Sequence, residues 1–247
     1  MIENTFIHIQ GIGLKTERSL WQRGIRTWED FLHRKETIIS SKRDPIVRMQ
    51  LEESIKNRAN IRFFTDKLTT VDIWRLFGEF KDRAGYLDIE TSGLYPEDNE
   101  ITVIGLYDGC NVHTFVNGRN LTEFETIIAS FDLLITFNGS CFDLPFIRRF
   151  FPGISLPEAH IDLRFLLKRL GFRGGLKYIE KEFGIPRNPE IEGMDGYEAV
   201  KLWQAYQWGD KNALDLLIKY NTADIINLKP LMEKGYDMMR KRILRSL

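Results

Sequence analysis

The chain has 247 residues, 43% of them hydrophobic, which suffices for one substantial core and leaves room for a small second domain. Its 35 basic and 35 acidic residues give a net charge of zero, so no general basic field indicates a nucleic-acid partner. Neither a signal-like start nor a run of about 18 apolar residues occurs, so we expect a cytoplasmic protein that is not inserted in a membrane.

The first 80 residues predict helices. The segment from Phe6 to Leu32 is predicted to be helical on both sides of a turn at Gly11-Ile12-Gly13, with a second turn at Arg23-Gly24. From Thr37 to about Phe80 the apolar residues keep a helical spacing, and no strand is predicted before residue 85. We therefore predict a small all-α domain over residues 1–70, with the domain boundary between residues 65 and 84.

After residue 84 the pattern changes to short strands. The segments GYLDIETSG, ITVIGLYDG and NVHTFVNG predict three strands, with a hairpin turn at Asp108-Gly109 between the last two. A helix over Leu121–Ser130, the strand LLITFNG, the helix FDLPFIRRFF and the short strand HIDL follow, and helices continue to the end. This order predicts an α/β domain over residues 84–247, with a mixed five-stranded sheet flanked by helices.

Two carboxylates interrupt the first predicted strand. Asp88 and Glu90 are two residues apart, so both leave the same face of the sheet, and they run into a turn at Thr91-Ser92-Gly93. Strand ends of this kind hold the sites of α/β proteins, and a divalent cation would remove the repulsion between the two charges. Oxygen ligands favour Mg²⁺ or Mn²⁺. The alternative is the exposed face of a half-buried strand, as expected for the similar pair in the polar loop PEDNE.

Further acids stand at the ends of later elements. Asp143 opens the helix after LLITFNG, where helix capping is the alternative interpretation. Tyr220 and Asp224 share one face of an apolar helix at a spacing of one turn, whereas Tyr206 and Asp210, which have the same spacing, span a glycine. A structural network of ion pairs would need basic partners, and neither YLDIET nor LLITFN contains one.

The order of these motifs resembles a known family. Asp88-Ile89-Glu90, Asn138-x-x-x-Phe142-Asp143 and Tyr220-x-x-x-Asp224 are similar to the three motifs of the DEDDy 3′ to 5′ exonucleases, which have a ribonuclease-H-like fold. The second motif is most similar to the proofreading domains of family-B DNA polymerases. The segments GGLKYIEKEFGI and YNTADIINLKPL resemble the stand-alone exonucleases of the YprB type. The resemblance covers about residues 84–235.

The resemblance implies roles for individual residues. Asp88, Glu90, Asp143 and Asp224 would hold two Mg²⁺ or Mn²⁺ ions, and Tyr220 would orient the attacking water. Lys219 stands where the histidine subclass has its histidine, which favours the tyrosine subclass. Two residues after the first motif and two from the second would contact the terminal nucleotide of the nucleic-acid strand. They are Thr91, Leu94, Asn138 and Phe142.

The activity that this resemblance implies is removal of nucleotides from a 3′ end, with single-stranded DNA as the favoured substrate. Two alternatives stay open at this stage. One is an RNA-directed 3′ exonuclease, and the other is a non-catalytic module that binds nucleic acid in a repair or replication complex with a protein partner. A binding module has no need for four acids that repel one another, which favours the enzyme.

The front segment resembles a second motif. Gly11, Gly13 and Lys15 fall in a stretch similar to the hairpin of helix-hairpin-helix modules, where backbone amides meet a phosphate. Glu17 stands where such modules pack a small alanine, so a scaffold or protein-contact role is an equal alternative. Asp162 in HIDL is predicted to end a strand or cap a helix, and support of the site is the alternative role. The four histidines are left without a functional role.

Overall fold

The structure is a computed structural model that describes residues 1–245. The chain divides into two compact units, which we describe separately. The N-terminal unit comprises Met1–Lys81 and the chain from Tyr236 onward, and the sheet unit comprises Asp82–Gly235. This division assigns the residues after Gly235 differently from the predicted domain over residues 84–247, and the domain organisation stays a prediction.

The N-terminal unit is built from short helices. They are α1 (Leu14–Gln22), α2 (Trp28–His33), α3 (Asp44–Lys56), α4 (Ile61–Thr65) and α5 (Phe77–Phe80), with 3₁₀ segments at Ile2–Asn4 and Thr70–Leu76. Thr27 caps the N-terminus of α2: its hydroxyl accepts the N–H of Asp30, and the Asp30 carboxylate accepts the N–H of Thr27. Gly24, with a φ of 78°, makes the turn predicted after α1.

The helix predicted before the Gly11 turn is wrong. Only Ile2–Asn4 forms a short 3₁₀ segment, and the chain from Thr5 to Ile12 runs through turns. The N–H groups of Phe6 and Ile7 donate to the carboxylate of Glu17, at 2.7 and 3.3 Å, instead of to carbonyls of a helix. A buried side chain from a later element thus overrides the local helical pattern.

The sheet unit contains the predicted mixed sheet. Its five strands are β1 (Ala84–Thr91), β2 (Ile101–Tyr107), β3 (Val112–Val116), β4 (Leu133–Thr136) and β5 (Ala159–Asp162), in the order β3-β2-β1-β4-β5. The pairs β1–β2 and β2–β3 are antiparallel, whereas β1–β4 and β4–β5 are parallel. The hairpin after β2 closes where it was predicted, with the Asp108 N–H donating to the Asn111 carbonyl at 3.1 Å.

Helices cover both faces of this sheet. They are α6 (Phe124–Ile128), α7 (Asp143–Phe150), α8 (Leu163–Leu170), α9 (Leu176–Glu182), α10 (Gly196–Gln207) and α11 (Lys211–Arg245), with 3₁₀ segments at Lys81–Arg83, Leu121–Glu123 and Pro189–Ile191. Leu87 and Ile89 of β1 pack in one apolar cluster with side chains of α6 and α7. A second cluster joins Val103 of β2 to α10 and α11. Within residues 1–245, no helix is both long and apolar enough to span a bilayer.

The packing of β1 decides where its acids point. Because side chains alternate along a strand, Asp88 and Glu90 leave the face opposite to Leu87 and Ile89, which is the face that α11 covers. The register between β1 and β2 shifts between Glu90 and Thr91, so the strand has a bulge directly after the second acid. Bulges of this kind commonly re-aim side chains beside active sites.

Candidate active site

Four acids from three elements meet at one edge of the sheet. The parallel strands β1, β4 and β5 end at the same edge, so the loops that follow them are neighbours. Asp88 and Glu90 come from β1, Asp143 begins α7 after the loop behind β4, and Asp224 lies in α11. The structure therefore brings together the four acids that the sequence singled out.

Three of these acids form a tight cluster. Asp88, Glu90 and Asp224 each present one carboxylate oxygen, and the three oxygens lie within 4.8 Å of one another. Asp143 lies beside this cluster, because its carboxylate accepts the N–H of Ile89 in β1 at 3.2 Å. Asp143 is not the cap of α7, since the residue at the cap position is Phe142.

The pair Asp98 and Glu100 is exposed, as expected for the polar loop.

The proximity of these acids is electrostatically costly. Burial, followed by the neighbouring carboxylates, raises the pKa of Asp88 and of Glu90 well above their ordinary values. Burial also raises the pKa of Asp224, and it raises that of Asp143 to about 7. Buried acids that repel one another in this way require a compensating cation or protons. An all-oxygen donor set with this charge fits hard divalent ions such as Mg²⁺ or Mn²⁺.

One of the four acids has a protein cation as partner. Arg187 forms a short ion pair with Asp224, and its guanidinium also binds the Glu180 carboxylate, at 2.5 and 2.7 Å. Glu180 is fully buried and accepts a further hydrogen bond from Asn227 at 3.0 Å. This chain of contacts holds the carboxylate of Asp224 through its Oδ1 atom. Sequence reasoning missed Arg187 and Glu180, although an acid on the apolar face of an amphipathic helix was a usable signal.

The hydroxyl of Tyr220 contacts a third residue that was not predicted from the sequence, Lys177. The Lys177 ammonium donates to the Tyr220 oxygen at 2.5 Å and also binds the Met194 carbonyl. Burial lowers the pKa of Lys177, and burial followed by the charge of Asp224 raises the pKa of Tyr220. Because the lysine occupies a lone pair of the tyrosine oxygen, the hydroxyl proton is free to be donated to a third group. Lys219, in contrast, pairs with Glu190 at the surface.

The loop between β4 and α7 is held in a strained conformation. Within residues 1–245, Asn138 is the one non-glycine residue with a positive φ, at 69°. The Asp162 carboxylate accepts the N–H groups of Asn138 and Ser140, at 2.8 and 3.0 Å, and it also caps α8 through the N–H of Arg164. The Arg164 guanidinium donates to the side-chain oxygen of Asn138 at 2.5 Å. Asp162 is thus the predicted helix cap, and it also ties down the loop that leads to Asp143.

A cleft of about 620 Å³ opens above the acids. The four residues predicted to contact a nucleotide all line it, namely Thr91, Leu94, Asn138 and Phe142. Its opposite wall is the start of α10, where Tyr197 is 68% exposed and was not predicted from the sequence. The predicted phosphate contacts Gly11, Gly13 and Lys15 belong to the N-terminal unit, where both glycines are exposed at the turn before α1 and Lys15 is exposed in the first turn of α1.

This geometry defines a ribonuclease-H-like domain. Its sheet has the ribonuclease-H-like arrangement, and an acidic cluster lies at the ends of its strands. The sequence matches the RNase_H superfamily over residues 85–236, and the chain belongs to this superfamily. No curated protein matches the chain significantly.

Solved structures similar to the chain are distant in sequence. The family B DNA polymerase of the hyperthermophilic archaeon Pyrobaculum calidifontis is 16% identical, with a TM-score of 0.51 over 61% of this chain and 24% of the polymerase. Escherichia coli RNase D, an exoribonuclease involved in structured RNA processing, is 19% identical, with a TM-score of 0.47 over 70% of this chain and 46% of that chain. Brucella melitensis NrnC with bound Mg²⁺ is 19% identical, with a TM-score of 0.46 over 69% of this chain and 82% of that chain. The superfamily and the polymerase match confirm the predicted fold.

Proposed function

We propose that this chain is a metal-dependent exonuclease of the DEDDy type that removes nucleotides from a 3′ end. The observation that supports it best is the convergence of Asp88, Glu90, Asp143 and Asp224 with the Tyr220 hydroxyl around one open cleft. Single-stranded DNA is our favoured substrate, because the second motif is most similar to polymerase proofreading domains. A YprB-like enzyme of cytoplasmic DNA repair fits the same motifs.

In this proposal the four acids would hold two divalent ions. When bound, such ions activate a water molecule and stabilise the charge that develops on the scissile phosphate. The residues of the chain hold and orient these components. Asp224 is pre-oriented by Arg187, and Asp143 is fixed by the backbone of β1, so both carboxylates meet an incoming ion without rearrangement.

Tyr220 and Lys177 would act on the attacking water. The lysine holds the tyrosine oxygen, so the phenol proton is free to be donated to a water molecule on the phosphate side. Thr91 and Leu94, after the bulge in β1, would contact the terminal nucleotide from one side, with Asn138 and Phe142 on another. In the N-terminal unit, Gly11, Gly13 and Lys15 would contact phosphates, because the N-terminal N–H groups of α1 have no side-chain cap.

A non-catalytic nucleic-acid-binding module is the second candidate function. The four acids, of which Glu90, Asp143 and Asp224 are buried and Asp88 is partly buried, argue against it, because their repulsion destabilises a fold that has no metal to bind. An RNA substrate is compatible with the same acids. The following assay separates these possibilities.

The test uses 5′-labelled and 3′-labelled DNA and RNA strands, single and duplex, with Mn²⁺, Mg²⁺ or EDTA. We expect a ladder of shortened 5′-labelled strands, immediate release of the 3′ label as a mononucleotide, and no reaction in EDTA. DNA should be degraded faster than RNA of the same sequence. Absence of cleavage with either metal would contradict the enzymatic proposal, and earlier release of the 5′ label would reverse the polarity.

Replacing Tyr220 with Phe tests the proposed role of the hydroxyl. The ring keeps its packing among α10 and α11, but the water loses its partner, so kcat should fall about 100-fold. Mn²⁺ affinity, measured by titration without substrate, should stay unchanged. Tyr206→Phe is the matched control, because Tyr206 has the same spacing to an aspartate and its hydroxyl binds Arg119 instead. Equal losses in both variants would remove the special role of Tyr220.

A further inference from the structure

A basic surface begins at the wall of the cleft. Between Leu163 and Lys181 the exposed charged residues are all cations, including Arg164, Lys168 and Arg173. Glu180 is the sole acid in this stretch, and it is buried against Arg187. Phe165, which lies on α8 with Arg164 and Lys168, is 47% exposed, so an aromatic ring lies among these cations. We call the exposed residues Arg164, Phe165, Lys168 and Arg173 the basic face.

The basic face is physically joined to the cleft. Arg164, in the first turn of α8, donates to the side chain of Asn138, which lines the cleft. Asp162, the cap of α8, holds the backbone of the same loop. Lys168 is one turn beyond Arg164 on the same side of the helix, about 6 Å along its axis. Arg164 and Lys168 therefore lead away from the cleft along α8, and Arg173 follows in the segment after the helix.

We propose that the basic face binds the phosphate backbone of the single strand whose 3′ end occupies the cleft. This inference rests on the proposed function and extends it to the nucleotides upstream of the terminal one. The acids of the cleft repel phosphates, so attraction for the rest of the strand has to come from elsewhere on the surface. A basic surface with an exposed aromatic ring suits a single strand, because cations bind its phosphates and the ring stacks on an unpaired base.

The chemistry of the face predicts what it recognises. Lysine and arginine contacts to phosphates carry no sequence information, so binding will be independent of sequence and strongly dependent on salt. Substrates that end within the cleft gain nothing from the face, whereas longer strands do. The enzyme should therefore bind a long single strand more tightly than a dinucleotide.

The test is a binding measurement without catalysis. Fluorescence anisotropy in EDTA compares a labelled dodecathymidylate with a labelled dithymidylate across a salt titration, for the full chain and for Lys168→Gln/Arg173→Gln. We expect the variant to bind the long strand roughly tenfold more weakly, with a slope of log K against log salt reduced by about 1.4, since each phosphate contact to a single strand contributes about 0.7. Binding of the dithymidylate should not change.

A matched variant controls for net charge. Arg119→Gln/Lys211→Gln removes the same two charges from exposed positions elsewhere in the sheet unit, Arg119 following the opposite edge strand β3. This control should bind the long strand as the wild type does. Equal affinities and salt slopes for the wild type and Lys168→Gln/Arg173→Gln would overturn the proposal. Binding of poly-glutamate, but not of the oligonucleotide, through Lys168 and Arg173 would overturn it in favour of an acidic protein partner.

The same experiment separates this inference from the proposed activity. If the long strand binds through Lys168 and Arg173 but no strand is cut with Mn²⁺ or Mg²⁺, the exonuclease proposal fails and the strand path stands. If dithymidylate and dodecathymidylate are cut, but the double variant binds and cuts both as the wild type does, the strand path fails and the exonuclease proposal stands.

Discussion

We expect Asp88→Asn to lower kcat at least about 1,000-fold and to raise the stability of the metal-free protein at neutral pH. One oxygen of the Asp88 carboxylate lies within 4.8 Å of an oxygen of Glu90 and of an oxygen of Asp224. Asparagine has almost the same shape, and its side-chain oxygen can still accept the hydrogen bond that Asn221 donates to Asp88 at 3.0 Å. The variant therefore removes a charge and a metal ligand while it keeps the local packing.

The stability of the metal-free protein should fall as the pH rises. The pKa of each acid in the cluster is raised in the folded state, so the folded protein binds more protons than the unfolded one above the ordinary value of 3.8 for aspartate. The resulting stabilisation is complete at low pH and is lost as the pH rises through the raised values, of which that of Asp143 is about 7. In EDTA, the melting temperature should thus decrease from pH 5 to pH 8, by the same linkage.

Calorimetry or thermal fluorescence checks both parts of this expectation. Asp88→Asn should flatten the decrease, because fewer charges repel one another, and Mn²⁺ should raise the melting temperature of the wild type far more than that of the variant. Asp98→Asn is the control, since Asp98 has the same motif spacing but is exposed. A steeper pH dependence in Asp88→Asn, or equal stabilisation of both proteins by Mn²⁺, would contradict the assignment of the cluster as a metal site.

The relative positions of the site residues were predictable where their spacing along one strand or one helix determines the direction of their side chains. The two-residue spacing of Asp88 and Glu90 determines their common face, and the one-turn spacing of Tyr220 and Asp224 places both on one side of α11. The sheet order then brings Asp143 to them, as the fold predicts.

The partners of these residues were not predictable from the same patterns. Lys177 and Arg187 lie 43 and 37 positions before the residues that they contact, Tyr220 and Asp224, on segments with no fixed register to α11. Tyr197 joins the cleft because α10 packs over β1, which is likewise a tertiary arrangement. Pairings of this kind depend on packing between distant elements, and one sequence carries no record of them.

In the N-terminal unit, too, a contact between distant residues was not predictable from the sequence. The sequence marks Glu17 as a departure from helix-hairpin-helix modules, but it does not reveal the reason. Arg75, 58 residues later, binds the Glu17 carboxylate with two nitrogens, at 2.9 and 3.0 Å, and both side chains are almost fully buried. Glu17 therefore joins α1, the segment before the turn and the 3₁₀ segment at Thr70–Leu76.

Glu17→Ala should lower the free energy of unfolding of the N-terminal unit by about 3–5 kcal/mol, because it removes the acid that binds two nitrogens of the buried Arg75 and leaves that charge with Asp72, 3.4 Å from its Nε. The N–H groups of Phe6 and Ile7 lose their acceptor at the same time. Glu17→Gln should cost less, since an amide oxygen can still accept from both N–H groups. Chemical denaturation of the full chain measures these differences, with Glu52→Ala on the exposed side of α3 as the control.

The double variant Glu17→Ala/Arg75→Met shows whether the pair itself or the unpaired charge dominates the loss. Removing both side chains avoids a buried guanidinium that has lost its two-nitrogen partner and keeps only the longer contact to Asp72, so the double variant should be more stable than Glu17→Ala alone. The remaining deficit then measures the two orphaned N–H groups, about 1–3 kcal/mol for each buried donor left without a partner. If the free energy of unfolding of Glu17→Ala lies within about 1 kcal/mol of the wild-type value, the Glu17 carboxylate does not hold the segment before the Gly11 turn in its non-helical path.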